Sequence, residues 1–392
     1  MKKLRFGIIG CGGVGPTHAG ALLRIDDAEL TAVADLIPSR AKELAEKIGI
    51  SKVYHSDVEL LADPEIDVVC IATPSGMHAE HAIRAMRAGK HVVVEKPMEI
   101  TLQACDRMIE CQRETGMKLT VIHQHRFDAA TQLVKKAIDD GKLGRIILAD
   151  ASVKWFRKQH YYDVANWRGT WTGDGGGALM NQGVHTVDVL QWLVGGVESV
   201  FAHTMTAAHA IETEDVAVAA LKFNCGAIGT LTATTAAYPG LPARLDIFGT
   251  EGCAIIEGDR LKKMELKSGE VITGENAAHD AISVAQGGTA SVKDEAAKRA
   301  LFGDKKAGWG DAHREQLLDL IRAVRTDAQP RVDGPAARQA VEVVLSIYRS
   351  VETAMPVRVE EIARETRGAR QSVTAAVSPF APTVRRREVT QA

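Results

Sequence analysis

The 392-residue chain has few cysteines, no excess of either charge and no long apolar run. Its six cysteines are scattered without a C-x-x-C pair, which excludes a disulfide framework and a zinc ribbon and indicates reduced thiols. Lys and Arg total 48 against 50 Asp and Glu, so the basic excess typical of nucleic-acid-binding proteins is missing. No apolar run approaches the roughly 18 residues of a membrane span.

The remaining composition is that of an ordinary globular protein. Apolar residues make up 45% and charged residues 25%. The segment from Met1 to Arg5 leads directly into a strand-like run rather than into an apolar signal sequence. We therefore expect a cytoplasmic protein with neither a membrane nor a nucleic acid as its partner.

Short runs rich in Val and Ile alternate with helical patterns in the first third of the chain. This alternation is the rhythm of βαβ units, and strands that are apolar throughout are typical of a parallel sheet covered on both faces. We predict a doubly wound parallel sheet of the Rossmann type over residues 1–123. Its predicted strands are Leu4–Ile9, Leu30–Ala34, Val68–Ala72, His91–Val94 and Leu119–Ile122.

The pattern changes after His123, where strands follow one another without intervening helices. Such a run predicts an open, mainly antiparallel sheet, and hence an α+β domain, over residues 124–360. Residues 274–306 are expected to form a long loop, and residues 361–392 a tail that is frayed or serves as an oligomer arm. The predicted strands are Arg145–Val153, Val197–Thr206, Val216–Phe223, Ala227–Thr235, Ala243–Phe248, Gly252–Ile256 and Leu261–Leu266.

A glycine motif, G-x-G-x-x-G, follows the first predicted strand and precedes a helix. Its first glycine permits a tight turn, its second lets the backbone approach a pyrophosphate, and its third lets strand and helix pack closely. The motif predicts a dinucleotide-binding loop. The loop residues expected to contact the cofactor are Gly10, Gly12, Gly13, Val14 and Gly15.

Asp35 supplies the second half of this motif and indicates which dinucleotide binds. It lies twenty residues after Gly15, at the end of the next strand, where a carboxylate accepts hydrogen bonds from the adenosine ribose. A 2′-phosphate at that point would meet like charge, so we predict NAD. NADP is disfavoured but still open, because Arg40 is close enough in sequence to accommodate a phosphate.

Lys96 follows the predicted strand His91–Val94. Ligands of open parallel sheets bind beyond the carboxyl ends of the strands, so Lys96 is expected to face the nicotinamide region. Its ammonium can stabilise alkoxide character on a substrate as hydride leaves the adjacent carbon. The alternative is a surface lysine beside a turn proline.

A predicted helix over residues 178–194 carries three polar side chains on one stripe. Asn181, His185 and Asp188 are spaced i, i+4 and i+7 on an otherwise largely apolar helix. His185 can carry a proton near neutral pH, which complements a nicotinamide redox centre. The alternative is a structural histidine in a buried helix.

Together these motifs resemble the glucose-fructose oxidoreductase, inositol dehydrogenase and rhizopine-catabolism (Gfo/Idh/MocA) family. The resemblance runs from about residue 4 to residue 359. It implies a Rossmann domain followed by a domain built on an open antiparallel sheet, through which members form homodimers or homotetramers. The matching segments are Phe6–Gly12, Ala72–His78, Gly89–Pro97, Arg126–Asp128 and Gly176–Asp188.

The resemblance also assigns roles to individual residues. It makes Lys96 and His185 the catalytic lysine and histidine, with Asn181 orienting the substrate or the histidine. Further cofactor-binding residues are Thr73, Pro74, Ser75, His78, Glu95 and Lys96. The implied substrate-binding residues are Lys96, His125, Arg126, Trp155, Trp167, Arg168, Asn181 and His185.

Two features bear on the substrate. The inositol dehydrogenase branch has an Asp where this chain has Asn181, and an amide cannot take a proton as a carboxylate does. The segment from Trp155 to Trp171 looks like that of members acting on nucleotide-linked hexosamine uronates. Its aromatic rings can stack on sugars and its arginines can hold a carboxylate or phosphate, unless the loop is only structural.

The sequence thus predicts an NAD-dependent dehydrogenase of a sugar or sugar derivative, working in either direction. An inositol or polyol substrate is the nearest alternative. A non-catalytic NAD-binding sensor or scaffold is the alternative from another class. A semialdehyde dehydrogenase needs a catalytic cysteine that none of the six clearly provides. We predict no metal, because the pair His123 and His125 lacks an evident third ligand nearby.

Overall fold

A computed structural model describes residues 2–273 and 311–368 of the chain. Its first sheet has six strands, all parallel, in the order β3-β2-β1-β4-β5-β6. This order is that of a doubly wound dinucleotide-binding fold, which confirms the predicted Rossmann sheet. The strands are β1 (Leu4–Ile9), β2 (Ala28–Ala34), β3 (Lys52–Tyr54), β4 (Val68–Ile71), β5 (His91–Val94) and β6 (Leu119–Val121).

The second sheet has nine strands in the order β14-β13-β12-β11-β7-β10-β9-β8-β15. Its pairs are antiparallel except for β7 and β10, which run parallel, so the predicted open and mainly antiparallel sheet is confirmed. The strands are β7 (Ile146–Lys154), β8 (Val197–Met205), β9 (Val216–Phe223), β10 (Ile228–Thr234), β11 (Arg244–Gly249), β12 (Gly252–Glu257), β13 (Arg260–Leu266), β14 (Val271–Thr273) and β15 (Val357–Arg358).

Helices cover both faces of the first sheet and one face of the second. Several begin at side-chain caps, as where the Ser56 and Thr101 hydroxyls accept from backbone N–H groups of the first turn. The helices are Gly15–Leu22, Pro38–Ile48, Asp57–Ala62, His78–Arg87, Leu102–Thr115, Ala129–Asp139, His160–Asp163, Val184–Val194, Asp311–Thr326, Gly334–Thr353 and Val359–Gly368. Shorter 3-10 turns span Ser75–Met77 and Gln124–Phe127.

The helix Asp311–Thr326 returns to the first domain although it follows the second sheet in sequence. Its buried Leu317, Leu320 and Ile321 join the core formed around Phe6 and Ile8. The first sheet therefore ends at Val121, but the chain contributes again to that domain's core after the second sheet. The packing of this late helix on the first domain could not be predicted from the order of strands in the sequence.

Two predictions about irregular regions have different outcomes. Residues 361–368 of the predicted tail are helical, because they continue the helix that begins at Val359. The predicted loop over residues 274–306 and the tail beyond residue 368 lie outside the described residues.

One face of the second sheet is exposed and carries large apolar side chains. Phe201 is 38% exposed, Met205 59%, Val218 47% and Ile228 60%. The prediction that copies of the chain associate through this sheet stays a prediction. No helix in the described part of the chain has both the length and the apolar character needed to cross a membrane.

A buried ion pair ties the end of the first sheet to the second domain. The Arg126 guanidinium donates from Nε to Asp188 Oδ2 at 2.7 Å and from Nη2 to Asp188 Oδ1 at 2.6 Å. Arg126 is 4% exposed and Asp188 is fully buried. The guanidinium of Arg126 thus already pairs with an internal carboxylate, and its predicted substrate-binding role stays a prediction.

Replacing Asp188 by Asn should destabilise the protein strongly. The change leaves the buried Arg126 charge uncompensated, a loss of about 3 to 5 kcal/mol for a buried pair. Thermal and chemical unfolding measure this loss of stability. Asp140→Asn, which removes an exposed partner of Lys136, is the control and should leave the melting temperature unchanged. Equal melting temperatures for both variants would contradict the assigned role of the Arg126–Asp188 pair.

Candidate active site

The glycine loop lies where β1 and β4 end side by side. Gly10 has a left-handed backbone (φ +97°), and a Cβ there would lie 2.5 Å from the carbonyl oxygen of Ala72. A Cβ on Gly15 would lie 2.3 Å from Gly10 O, so the helix packs too closely on the end of the strand for any residue other than glycine. Gly12 has open space where its Cβ would be. This arrangement fits a dinucleotide whose pyrophosphate approaches the backbone at Gly12.

Asp35 is fixed at the end of β2 by two backbone hydrogen bonds. Cys11 N donates to Asp35 Oδ2 at 2.8 Å, and Ile37 N donates to Oδ1 at 2.8 Å. The carboxylate is thus tied to the glycine loop and stands at the position expected for the adenosine ribose. Arg40 is exposed in the first turn of the helix Pro38–Ile48.

The segments after β4 and β5 are joined by His78. Its Nδ1 contacts the carbonyl oxygen of Pro97 at 2.8 Å, and its Nε2 contacts that of Thr73 at 3.0 Å. The ring therefore lies between the two segments and supports the loop Thr73–Ser75, including Pro74. The predicted cofactor-binding role of His78 stays a prediction. Thr73 and Pro74 are partly exposed, whereas Ser75 is buried.

Glu95 is a buried carboxylate beneath the cofactor loop. Its Oε1 lies 2.8 Å from His18 Nε2 and 3.7 Å from His313 Nε2. Burial opposes the charge on His18, but the Cys70 and Glu95 side chains outweigh it and raise the His18 pKa to about 10. Glu95 is therefore the partner of a charged histidine in the interior. Sequence reasoning missed His18 because its partner lies 77 residues away.

Lys96 reaches from the first domain to the second. Its Nζ donates to the backbone oxygen of Asn181 at 2.9 Å and lies 3.5 Å from Asn181 Oδ1. Burial lowers the Lys96 pKa, and the charges of Arg168 and Arg157 lower it further, while Glu95 opposes them. The ammonium is thus held beside the residues that the sequence analysis singled out on the second domain.

Asn181 links Lys96 to a carboxylate that sequence reasoning missed. Its Nδ2 donates to Asp174 Oδ1 at 2.6 Å, and its Oδ1 accepts from Gln182 Nε2 at 2.9 Å. Burial raises the Asp174 pKa to about 6, although hydrogen bonds from Gly169 and Asn181 oppose this. The only signal in the sequence was an acidic residue directly before the glycine run 175–177.

The predicted helix over residues 178–194 is not α-helical throughout. Its first part, Ala178–Gly183, is a π-helix, and the α-helix begins at Val184. Wide π turns rotate the side chains relative to an α-helical register and are frequent at functional sites. Asn181 therefore turns to Lys96 and Asp174, whereas Asp188 turns into the core towards Arg126. The three residues do not share one environment.

His185 follows the π turn and packs against His125. The two rings meet edge to face, with their centroids 5.2 Å apart. The buried Nδ1 of His185 has no hydrogen-bond partner among the described residues. Burial lowers the His185 pKa well below its usual value, and the charge of Lys96 lowers it further. A neutral imidazole beside Lys96 is suited to accept a proton.

The aromatic loop places two arginines near these groups. Arg157 lies over the Trp155 ring, at 5.2 Å from its centroid, and donates to Gln182 Oε1 at 3.0 Å. Arg168 lies over the Tyr161 ring at 4.3 Å and over the Trp167 ring at 5.5 Å. Neither guanidinium has a carboxylate within ion-pair distance in residues 2–273 or 311–368.

Arg168 also faces the glycine loop of the other domain. Its Nη2 is 3.9 Å from the point where a Cβ on Gly13 would lie. Arg168 is predicted to bind the substrate. Its position near Gly13 would also allow it to contact the phosphates of the cofactor. Spacing in sequence gave no sign of this contact, because it joins two domains.

One group in the described part of the chain has metal-ligand chemistry. The ligand atoms of His125, Asp128 and Asp259 all lie within 4.8 Å of one another. However, His125 Nδ1 hydrogen-bonds directly to Asp128 Oδ2 at 2.7 Å. We therefore interpret the set as a charge cluster. Sequence reasoning missed Asp259, which comes from the turn between β12 and β13.

Comparison with known proteins agrees with this architecture. A model described as "Oxidoreductase family, NAD-binding Rossmann fold" matches residues 4–123, and a model of the GFO/IDH/MocA C-terminal domain matches residues 131–255. The chain belongs to the Gfo/Idh/MocA oxidoreductase family. Its first domain is accordingly an NAD-binding Rossmann domain, although the family includes users of NADP.

Solved structures and curated relatives cover most of the chain. The WlbA dehydrogenase of Bordetella pertussis, solved with NADH and UDP-GlcNAcA, is 37% identical over 91% of this chain and 98% of its own, with a TM-score of 0.77. The WlbA dehydrogenase of Chromobacterium violaceum, solved with the same two ligands, is 34% identical over 91% and 96%, with a TM-score of 0.76. The myo-inositol 2-dehydrogenase of Thermotoga maritima is 28% identical over 92% and 99%.

The position of Asp35 predicts that NAD binds more tightly than NADP. A 2′-phosphate would meet the Asp35 carboxylate, so Asp35→Ser should narrow the difference between the two dissociation constants. Titration of both cofactors into the purified protein measures it. Glu29→Gln, which changes an exposed carboxylate on the same strand, should leave the ratio unchanged. Equal affinities in the unmodified protein would remove the basis for this prediction.

Proposed function

We propose that the protein is an NAD-dependent dehydrogenase that oxidises a secondary alcohol of an anionic sugar derivative, such as a nucleotide-linked uronate. The observation that carries the proposal is the pair Arg157 and Arg168, which lacks an acidic partner within the described residues. A buried guanidinium requires a counter-charge, and Arg157 is only 5% exposed. A carboxylate or phosphate on the substrate supplies one, with paired hydrogen bonds to the planar guanidinium.

The relatives support an anionic sugar. The two WlbA dehydrogenases were solved with UDP-GlcNAcA, which carries both a diphosphate and a uronate. The inositol dehydrogenase of Thermotoga maritima is less similar in sequence. Asn181 also stands where the inositol branch carries a carboxylate, so an uncharged polyol is the weaker candidate.

In the proposed reaction each residue acts on the carbinol group of the sugar. His185 takes the hydroxyl proton, and Lys96 stabilises the negative charge that develops on the oxygen. Asn181 holds the Lys96 ammonium through its backbone oxygen, and its side chain orients the substrate. NAD, when bound, supplies the hydride acceptor. The same groups serve the reduction of a ketone in the reverse direction.

Lys96→Ala and His185→Ala should each lower turnover by about a hundredfold or more. Both groups act mainly in the transition state, and a loss of this size is typical of acid–base groups. A panel of sugars assayed by the absorbance of NADH tests the activity, and NAD titration should show nearly unchanged cofactor affinity. His55→Ala, at an exposed position, is the control. An unmodified protein that binds NAD but reduces none of it on any sugar would support the sensor alternative.

The enzyme should prefer an anionic sugar over its neutral counterpart. Arg157→Gln and Arg168→Ala should each weaken the binding of the anionic substrate by about 1.5 to 3 kcal/mol, the range for charge-assisted hydrogen bonds. The binding of a neutral substrate should barely change. Arg168→Ala should also weaken the binding of NAD, because Arg168 faces Gly13 in the glycine loop.

Kinetics on matched neutral and anionic sugars provide the measurement. Lys158→Ala removes an exposed cation from the same loop and is the matched control. If the arginine variants lose the same fraction of kcat/KM on neutral and anionic sugars, the loop is only structural and the substrate is a neutral polyol or free sugar.

A further inference from the structure

His185 lies beside a second histidine that is held by two carboxylates. His125 Nδ1 lies 2.7 Å from Asp128 Oδ2 and 3.3 Å from Asp259 Oδ1, and its ring meets His185 edge to face. We call His125, Asp128 and Asp259 the His125 cluster. Its side chains are partly buried, with His125 20% and Asp259 40% exposed.

Separate parts of the chain build the cluster. His125 lies in the 3-10 turn Gln124–Phe127, and Asp128 follows that turn directly. Asp259 lies in the two-residue turn between β12 and β13, with a left-handed backbone (φ +63°). Asp and Asn tolerate this conformation better than most residues. The hairpin thereby delivers a carboxylate to a histidine that lies more than a hundred residues earlier, just after the first sheet.

We propose that the His125 cluster positions a fixed positive charge that keeps His185 unprotonated at neutral pH. Asp128 and Asp259 hold the proton on His125, and the resulting imidazolium disfavours a second positive charge on the adjacent ring. The inference rests on the proposed role of His185 as proton acceptor. His125 is then a positioning residue, which acts on the substrate only through His185.

The groups around His125 favour its charged form. Burial opposes that charge, but Asp259 and Asp128, together with the more distant Asp188, raise the His125 pKa to about 9. Burial raises the pKa of Asp128, and its hydrogen bond to His125 opposes this. At neutral pH the cluster therefore holds an imidazolium between carboxylates.

The groups around His185 act in the opposite direction. Besides burial, the charges of Lys96 and His125 lower its pKa, with a smaller contribution from His123, whereas Glu95 raises it. The buried Nδ1 of His185 has no hydrogen-bond acceptor among the described residues, so no hydrogen bond from this nitrogen stabilises the protonated form. His185 is thus ready to accept a proton at pH values where an ordinary histidine is half charged.

The sign of the expected change follows from these charges. Without the positive charge of His125, the His185 pKa rises towards its usual value, so more of the base is protonated in mild acid. The acidic limb of kcat/KM, which reports the free enzyme's base, then moves to higher pH. The rate on the alkaline side is retained.

Histidine titration by NMR on the full-length protein tests the proposal without any substrate. The His185 signal is assigned by its absence in His185→Gln. In His125→Gln the midpoint of His185 should rise by about one pH unit or more. In Asp259→Asn, where Asn tolerates the left-handed turn, the midpoint of His125 should fall while that of His185 does not rise. These two readouts come from separate variants, so either remains if the other fails to fold.

The matched control is Asp327→Asn, which changes another aspartate with a left-handed backbone (φ +55°). Asp327 pairs with Lys118 at the opposite end of β6, and neither histidine should respond. An unchanged His185 midpoint in His125→Gln, or a neutral His125 at pH 7 in the unmodified protein, would overturn the proposal.

Kinetics on the sugar found by the panel separate this inference from the proposed function. His125→Gln should move the acidic limb of kcat/KM to higher pH, whereas a loss that is equal at every pH, with no shift of that limb, contradicts the proposal. A protein that turns over no sugar would refute the proposed function, and the NMR midpoints would still decide the charge relation between the two histidines.

Discussion

The hydrogen bond from Lys96 Nζ to the backbone oxygen of Asn181 joins the two domains at the point where chemistry is proposed. One domain supplies the cofactor loop and the lysine, and the other supplies His185. A displacement of about 1 Å between such groups is enough to slow a reaction severely. Much of the surrounding structure fixes this junction, including the Arg126–Asp188 pair and the helix Asp311–Thr326, which packs on the first domain.

Charge pairing divides the interior into structural and functional groups. Glu95 with His18, and Asp188 with Arg126, are buried pairs whose charges are satisfied within the protein. Arg157 and Arg168 are not paired in this way within the described residues, and they lie in the loop near the glycine loop and Lys96. Because an unpaired buried charge is costly, we propose that a substrate anion pairs with the buried Arg157, and with Arg168 beside it. Residues that looked similar in sequence, such as Arg126 and Arg168, are separated by this criterion.

Features set by local pattern could be predicted from the sequence, and features set by distant contacts could not. The glycine loop, the parallel strands and the position of Lys96 all follow from short-range rules of strand, turn and helix. The ion pair of Arg126 depends on Asp188, which lies 62 residues away, and the cluster at His125 depends on Asp259 in a distant hairpin of the second sheet. The π turn at Ala178–Gly183 was not predicted, because the apolar pattern over so few residues fits an α-helix equally well.

The π turn and Asp174 together explain why an amide suits position 181. The turn brings the side chain of Asn181 within 2.6 Å of the buried Asp174 carboxylate, and only a donor is satisfied at that distance. A carboxylate at 181 would face another carboxylate, and two such groups in contact must share a proton. The amide avoids this conflict, donates to Asp174 and leaves its oxygen towards Gln182 and Lys96. In the proposed reaction, proton transfer is therefore left to His185, whose protonation depends on neighbours outside this amide network.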